Sequence, residues 1–297
     1  MGFYVIGGIE LNGDTAVPYS RASLAPNIEK ALLNSDAIAG HSFTGVRMAG
    51  PICRFTTPAV KSILDITGMV GAVLTAFEIH LIQHDAAAVT SGSNHRKLSM
   101  TSALAQVESI STSNGYAEIT VAIHGVFDGT NAVWVNSNSA ALPTSPRVTD
   151  VWYQGPVYLT TTLYRVEQMN ISPNAEIIKR HSNGEVGPAF VGLRPATPSI
   201  SFTEGAGALH AAAGAFGANV GPVTIFLRKG AEGSSLRVAD ATETHISLVV
   251  PSAYMTPNDV DGQPREDVSF GVNLDVRYDG TNAIWTLDTT AAIAAPV

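Results

Sequence analysis

The stretch FDGTNAVW at residues 127–134 returns 151 positions later as YDGTNAIW at residues 278–285. Each version consists of an aromatic residue, Asp-Gly-Thr-Asn-Ala, an aliphatic residue and Trp. Chance is a poor explanation for agreement over this length. The repeat predicts that the chain contains two copies of one domain.

Matches continue upstream of this stretch and keep the same order. NHRKLSMTSA at 94–103 corresponds to THISLVVPSA at 244–253, and PICRFT at 51–56 corresponds to PSISFT at 198–203. The offset changes only from 147 to 151, which a few inserted loop residues explain. A chain of 297 residues is long enough for two compact domains. We therefore predict domains at 1–146 and 147–297, with the Pro-bearing stretch 141–156 as the connector.

Hydrophobic periodicity and turn residues predict a mainly β, α+β fold. Thr57-Pro58 followed by AVKSILDITG predicts a short helix that ends at Gly68, and EGAGALHAAAG at 204–214 is its counterpart. Strands are predicted at 72–83, 97–103, 116–127, 222–228, 245–250 and 268–278. We expect two tandem β-sandwich or barrel-like domains, each with one short flanking helix.

The repeated Asp-Gly-Thr-Asn segment predicts a tight turn that closes a β-hairpin in each copy, because a primed turn needs residues that tolerate positive φ. A Trp shortly after such a turn usually packs on the core or on a neighbouring subunit. Sugar binding against the exposed face of that Trp is the alternative. The predicted turn residues are Asp128, Gly129, Asn131, Trp134, Asp279, Gly280, Asn282 and Trp285.

Two groups of polar residues are candidates for metal binding. His80 and His84 share one strand face, with His95 nearby, but Phe226 stands in the second copy where a histidine would be needed. Structural histidines are the favoured interpretation. The run 258–262 (NDVDG) resembles part of a calcium loop, yet Glu266 comes too early to complete it. A solvated acidic loop is favoured there, and weak divalent binding stays open.

The chain contains no Gly-x-Ser-x-Gly, no phosphate-binding Gly loop with Lys and no His-Glu-x-x-His motif. The Gly-rich run 205–221 lacks the spacing of a nucleotide-binding loop, so its small residues fit close packing. The single cysteine, Cys53, is expected to pack as a small apolar residue and excludes an intramolecular disulfide. We predict no enzyme and no cofactor.

The composition favours assembly over nucleic-acid binding. Charged residues make up only 14% of the chain, which predicts either a surface that meets another subunit or one covered by Ser, Thr and Asn. The formal net charge of −8 argues against gripping nucleic-acid phosphates. The first residues do not read as a signal peptide, and no window has the 18 or so apolar residues of a membrane helix. The protein is therefore expected in the cytosol of the producing cell, with no membrane partner.

The duplication, together with a Pro-led strand that ends in Phe-Thr and is followed by a helix (51–57 and 198–203), resembles the tail tube (major tail) proteins of long-tailed bacteriophages. The resemblance covers most of the chain. It implies a β-sandwich flanked by a helix and a self-assembling virion protein. Single-domain members of this family form six-fold rings, so three duplicated chains make a pseudo-hexameric ring.

The resemblance further implies stacked rings that conduct DNA through a neutral or acidic lumen without specific binding. The protein is then located in the virion tail, after assembly in the host cytoplasm, with other virion proteins at the tube ends. The expected contact elements are residues 1–25, 38–49, 141–156 and 183–195. A capsid decoration or other head protein, and a carbohydrate-binding tail module, are the alternatives.

Overall fold

The computed structural model describes residues 4–13, 15–34, 41–83, 95–112, 115–138, 150–182, 185, 187–231, 237–261 and 268–294. Strands dominate these residues, and the described helices are two short ones, α1 and α2. The structure confirms a mainly β fold built from antiparallel sheets. Neither described helix is long and apolar enough to cross a membrane.

The described residues of the first half (residues 4–138) form twelve strands and one helix. They are β1 (Tyr4–Leu11), β2 (Thr15–Val17), β3 (Arg21–Ala25), β4 (Ile28–Asn34), β5 (His41–Ala49), β6 (Ile52–Thr57), α1 (Val60–Thr67), β7 (Gly71–Leu74), β8 (Phe77–Gln83), β9 (Arg96–Met100), β10 (Ala103–Ser111), β11 (Glu118–Gly125) and β12 (Val135–Asn138).

The second half (residues 150–294) has the same order of elements. They are β13 (Trp152–Leu159), β14 (Thr162–Tyr164), β15 (Gln168–Ser172), β16 (Glu176–Arg180), β17 (Phe190–Arg194), β18 (Ser199–Glu204), α2 (Ala208–Ala213), β19 (Ala218–Val220), β20 (Val223–Lys229), β21 (His245–Val250), β22 (Ala253–Asp261), β23 (Ser269–Val276) and β24 (Thr286–Ala291).

Strand pairing also repeats between the halves. Each half has its own five-stranded sheet, ordered β12-β9-β8-β1-β2 in the first and β24-β21-β20-β13-β14 in the second. Both halves contribute to one central ten-stranded sheet with the order β19-β22-β23-β18-β15-β10-β11-β6-β3, in which β7 also pairs with β10. This correspondence supports the predicted duplication, which stays a prediction from the sequence.

The core lies between the central sheet and the five-stranded sheets. Phe55 on the central sheet stacks on Phe77 of the five-stranded sheet, with ring centroids 6.4 Å apart, and both side chains are buried. Full burial of one such side chain contributes about 1.5–3 kcal/mol. Cys53 lies in the same core, as its small apolar character predicts, and burial raises the pKa of its thiol to about 12.

Both predicted helices are present, with shifted starts. α1 begins at Val60, two residues after Pro58, and Thr57 Oγ1 accepts the backbone N–H of Ala59 at 3.0 Å. Gly68 ends the helix with a φ of 61°, which glycine adopts without strain. The predicted strand 72–83 is two strands, β7 and β8, which belong to different sheets.

The predicted β-hairpin around each Asp-Gly-Thr-Asn segment is wrong. β11 pairs with β10 and β6 in the central sheet, whereas β12 pairs with β9 in the five-stranded sheet. β23 and β24 separate in the same way. The segments 126–134 and 277–285 are therefore crossovers between sheets, and we name them the first and second crossover.

Candidate assembly interface

The two halves are joined by one strand pairing inside the central sheet, which we name the internal junction. β10 of the first half pairs antiparallel with β15 of the second, with Ile110 opposite Ile171 and Ser111 opposite Asn170. Both isoleucines are almost fully buried, at 1% and 2% exposure. The junction thus combines backbone pairing with a closed apolar contact.

Thr112 extends the internal junction by one residue. Its backbone N–H donates to Met169 O at 2.9 Å, and its hydroxyl oxygen accepts the Met169 N–H at the same distance. The Thr112 hydroxyl also donates to the Gln154 side-chain oxygen at 3.0 Å. Thr112 is 1% exposed, so this buried hydroxyl group is fully used in holding the two halves together.

Two strands of the central sheet that are counterparts of the joined pair have open edges among the described strands. β3 occupies the place in the first half that β15 occupies in the second, and β22 is the counterpart of β10. Among described strands, β3 pairs only with β6, and β22 pairs with β19 only over residues 253–255. Unpaired edges of this kind are templates for pairing with another chain.

A second contact between the halves comes from the hairpin β16–β17, which we name the second arm. It reaches over the outer face of the first half, the central-sheet face turned away from the core. There the Gln106 side-chain N–H donates to Ala175 O at 2.5 Å, and the Phe127 backbone N–H donates to Pro188 O at 2.8 Å. At Gly187, an added Cβ would lie 2.0 Å from a methyl group of Val133, so the arm sits tightly on the first crossover.

Burial beneath this arm changes the titration of His124. Its pKa is lowered from 6.5 to about 4, first by burial and then by the positive charges of Lys179 and Arg54. The pKa of Lys179 is lowered as well, by burial and by Arg54. The His124 ring lies 3.2 Å from the side-chain oxygen of Gln106. His124 is therefore a neutral histidine at neutral pH, and it forms part of the contact between halves.

The third contact joins α1 to β24. The Thr289 hydroxyl donates to Asp65 Oδ1 at 2.6 Å, and Lys61 Nζ donates to the Thr289 hydroxyl at 3.1 Å. Lys61 and Asp65 also form an ion pair at 2.8 Å within the helix. The helix that flanks the first half is thus held by the last strand of the second.

Each crossover is shaped by an aspartate rather than by a hairpin turn. Asp128 accepts the backbone N–H groups of Thr130 and Asn131 at 2.9 and 2.7 Å, and Asp279 accepts those of Thr281 and Asn282 at 2.9 and 2.8 Å. These hydrogen bonds, with those from the Asn side chains, hold the pKa of both carboxyl groups below the usual range. The repeated motif therefore specifies an Asx turn.

The remaining residues of the motif have structural positions. Gly129 and Gly280 have φ values of 88° and 91°, which glycine adopts without strain. Trp134 and Trp285 are partly buried and pack against the core. Their contact with the core agrees with a structural use of the motif, whereas the sugar-binding alternative needs a free aromatic face.

The candidate metal ligands are only partly brought together. His80 Nε2 lies 3.0 Å from Glu10 and 3.8 Å from Glu78, and the three side chains form the one cluster of possible metal ligands among the described residues. Lys97 Nζ contacts the other carboxylate oxygen of Glu78 at 2.8 Å. The lysine supplies a positive charge beside the cluster, so Glu10, His80, Glu78 and Lys97 form a polar network across β1, β8 and β9. His95 is not a member, and His84 lies outside the described residues.

The acidic run 258–262 is not a loop as far as it is described, because residues 258–261 belong to β22. The Asn258 side chain accepts from Asn273 at 2.8 Å, and its backbone carbonyl lies 3.1 Å from the His210 ring. The Asn258 amide is thus engaged within the fold. Gly262 and Glu266 lie outside the described residues, so weak divalent binding stays a prediction.

The expected contact elements fall on regular structure. Residues 4–25 of the first stretch form β1, β2 and β3, and 150–156 of the connector leads into β13. The stretches 38–49 and 183–195, expected as loops, contain β5 of the hairpin β4–β5 and β17 of the second arm. Residues 141–149 lie outside the described part of the chain.

Sequence reasoning missed the two hairpins β4–β5 and β16–β17, although a signal was present. Phe43-Thr-Gly-Val-Arg47 and Phe190-Val-Gly-Leu-Arg194 share the pattern Phe-x-Gly-aliphatic-Arg at the offset of 147. The segment between Asn174 and Thr197, which contains the second arm, has a counterpart between Asn27 and Gly50. The pattern lacks strict period-two alternation, so β5 and β17 could not be recognised as strands from the sequence.

A scan against protein-family models found no match for this chain. A search of curated proteins also found no similar sequence.

Proposed function

We propose that the protein is a structural subunit whose chains join head to tail, through β22 of one chain and β3 of the next, into closed rings. The observation that carries this proposal is the internal junction. It joins β10 to β15. Among the described strands, their counterparts β22 and β3 have open edges on opposite sides of the same sheet, β3 along its whole length and β22 beyond residues 253–255. A heterologous contact of this kind builds a ring when its rotation closes.

The exposure of an apolar side chain at the open edge of β22 agrees with the proposed pairing between β22 and β3. By counterpart position, Val260 corresponds to Ile110 and Leu24 to Ile171. Val260 is 53% exposed, whereas Ile110 is 1% exposed. Pairing Val260 with Leu24 of the next chain would bury an apolar side chain that now faces solvent, and burial of such a group is worth about 1.5–3 kcal/mol.

Part of the outer face of the central sheet suits a conduit wall. One row of directly paired residues crosses the internal junction and carries neutral polar side chains on β18, β15 and β10 (Ser201, Asn170 and Ser111), and it continues on β11 with the acidic Glu118. Neighbouring Thr56 and Thr120 continue this chemistry with hydroxyl oxygens 3.1 Å apart. A wall of hydroxyl and amide groups offers DNA phosphates few cations to bind, so DNA could slide along it.

The resemblance to tail tube proteins sets the form of the assembly. It implies three chains per ring, six domains in all, stacked into a DNA-conducting tube of a virion tail. The repeated strand pairing supports this interpretation, because it lets one chain supply two equivalent positions of a ring. A head decoration protein, or a carbohydrate-binding module, would instead stay a compact trimer or a monomer.

The first test is negative-stain electron microscopy of the purified chain over a concentration series, with oligomeric mass measured in parallel. Stacked rings or hollow tubes with a three-chain repeat are expected. A monomer at all concentrations, or trimers that never stack, contradicts the tube.

A cysteine pair tests the edge contact directly. Leu24→Cys with Val260→Cys is expected to give disulfide-linked chains on mild oxidation, because cross-strand partners approach closely enough for a disulfide. The native Cys53 is buried and does not compete. Val73→Cys with Leu24→Cys is the control, because Val73 is 71% exposed on β7, away from both edges. Equal cross-linking in both variants would show random collision.

A further inference from the structure

The hairpin β4–β5, which we name the first arm, has the same construction at its base as the second arm. Asn27 and Asn174, which precede the two arms, have left-handed φ values of 44° and 53°. Their side-chain amides donate to the carbonyl groups of Gly50 at 3.2 Å and of Thr197 at 3.0 Å, just after the returning strands. The two arms therefore leave the central sheet by the same local geometry.

The second arm crosses the internal junction. It leaves β15 of the second half and lies on β10 and on the first crossover of the first half, where Pro188 O accepts the Phe127 N–H. The first arm leaves β3, which is the counterpart of β15. If the first arm follows the same path from β3, it crosses the contact between β3 and β22 of the neighbouring chain. It then reaches the outer face of the second half of that neighbouring chain.

That receiving face is open. Tyr278 is the counterpart of Phe127 and is 66% exposed, whereas Phe127 is half-buried under the arm. Ile284 is half-buried at the position of Val133, which is 5% exposed. The second crossover is therefore more exposed than the first at both positions where the second arm contacts the first crossover.

We propose that the first arm docks on the outer face of β22 and β23 and on the second crossover of the neighbouring chain. This inference rests on the proposed function, because the edge contact brings the two chains together. By counterpart position, the backbone carbonyl of His41 accepts the N–H of Tyr278 from the neighbour. Each contact between two chains then consists of the β22–β3 pairing and the docked first arm, which we name the clamp. The contact between the halves has the same two parts, the β10–β15 pairing and the docked second arm.

Disulfide trapping tests the clamp. His41→Cys with Tyr278→Cys is expected to link different chains, and Pro188→Cys with Phe127→Cys is the matched reference that should close within one chain. Adding Val260→Lys to the first pair is expected to abolish its cross-link while leaving the reference unchanged. A reference that closes while the His41–Tyr278 pair stays reduced in assembled protein overturns the inference.

Deleting the first arm gives a second test. Gly50 N–H donates to Asn27 O at 3.3 Å, so two glycines can replace residues 28–49 without pulling the sheet apart. The variant is expected to stay folded, with the concentration for half-assembly raised about tenfold or more, equivalent to roughly 1.4 kcal/mol. Unchanged assembly overturns the clamp.

The outcomes separate the two proposals. If the Leu24–Val260 cysteine pair cross-links and the arm pair does not, the edge contact stands and the clamp is wrong. If neither pair cross-links and the chain stays monomeric, the proposed function fails together with the clamp.

Discussion

The second arm covers part of the outer face of the first half, and the corresponding part of the second half is open. His124 lies neutral and 4% exposed beneath the second arm, while its counterpart Asp275 is exposed. Residues 1–148 carry 8 basic and 10 acidic side chains, and residues 149–297 carry 9 and 15. Strand pairing is therefore shared by the two halves, whereas the surface of each half depends on what covers it.

The largest expected effect comes from placing a lysine either in the internal junction or on the open edge of β22. Ile110→Lys buries an unpaired charge in the internal junction and should cost about 3–5 kcal/mol of unfolding free energy. Val260→Lys should change the unfolding free energy of the monomer by at most about 0.5 kcal/mol and yet abolish assembly. Urea denaturation and mass measurement give the two readouts.

A Val260→Lys variant that still forms rings would show that β22 is not an assembly edge. Val73→Lys is the matched control, since it also places a lysine on an exposed strand position. It should leave both stability and assembly unchanged.

The next effect concerns the contact between the second arm and the first crossover. Gly187→Ala places a Cβ 2.0 Å from Val133, and such overpacking typically costs about 1–3 kcal/mol. Gly50→Ala is the control, because its nearest neighbour lies at 3.8 Å. Thermal unfolding of both variants in the Val260→Lys background measures the difference. Equal stabilities would mean that the second arm does not clamp the first crossover.

A smaller effect should appear as a pH dependence. The folded-state pKa of His124, about 4, lies below its usual 6.5, so the unfolded chain binds the proton more readily. Stability should therefore fall as the pH decreases from about 6.5 to about 4, by up to about 3 kcal/mol for the full shift. His124→Asn should flatten the profile over this range relative to the parent, whereas substitution of the exposed His181 should not. Parallel profiles for all three proteins would contradict the buried neutral histidine.

The smallest effect distinguishes the two Asx turns. Asp128→Ala should lower the melting temperature of the monomeric variant more than Asp279→Ala, because Asp128 also accepts from Thr101 at 2.9 Å and the second arm contacts the ends of the first crossover at Phe127 and Val133. The second crossover lacks these contacts in the free chain. In assembled protein the two effects should move closer together, because the neighbour's arm would then contact the ends of the second crossover. Differential scanning calorimetry of both variants, with and without Val260→Lys, measures this.

The sequence alone predicted part of the local structure, namely both helices and several strands, among them β11 and β23. Gly68 and Gly214 end the two helices, and the apolar alternation of β11 and β23 marks buried strands, because these signals depend on neighbouring residues. The Asp-Gly turn was predicted, but the hairpin was not found, since an Asx turn fixes the chain direction for only a few residues. Which sheet receives the next strand depends on distant partners.

The internal junction could not be predicted from the sequence. Ile110 and Ile171 are ordinary apolar strand residues, and nothing local distinguishes an isoleucine that faces another half from one inside its own core. Thr112 likewise reads as a polar residue at a strand end. Only the fold reveals that its hydroxyl group links the halves.

The two open edges of the central sheet belong to different strands, β22 and β3, and this polarity has a consequence for mixtures of chains. A subunit blocked only at β22 still offers β3, so it can bind a growing assembly once and then stop it. Small amounts of such a subunit should act as chain terminators on the intact protein, with an effect greater than their molar share. A subunit blocked at both edges should be inert.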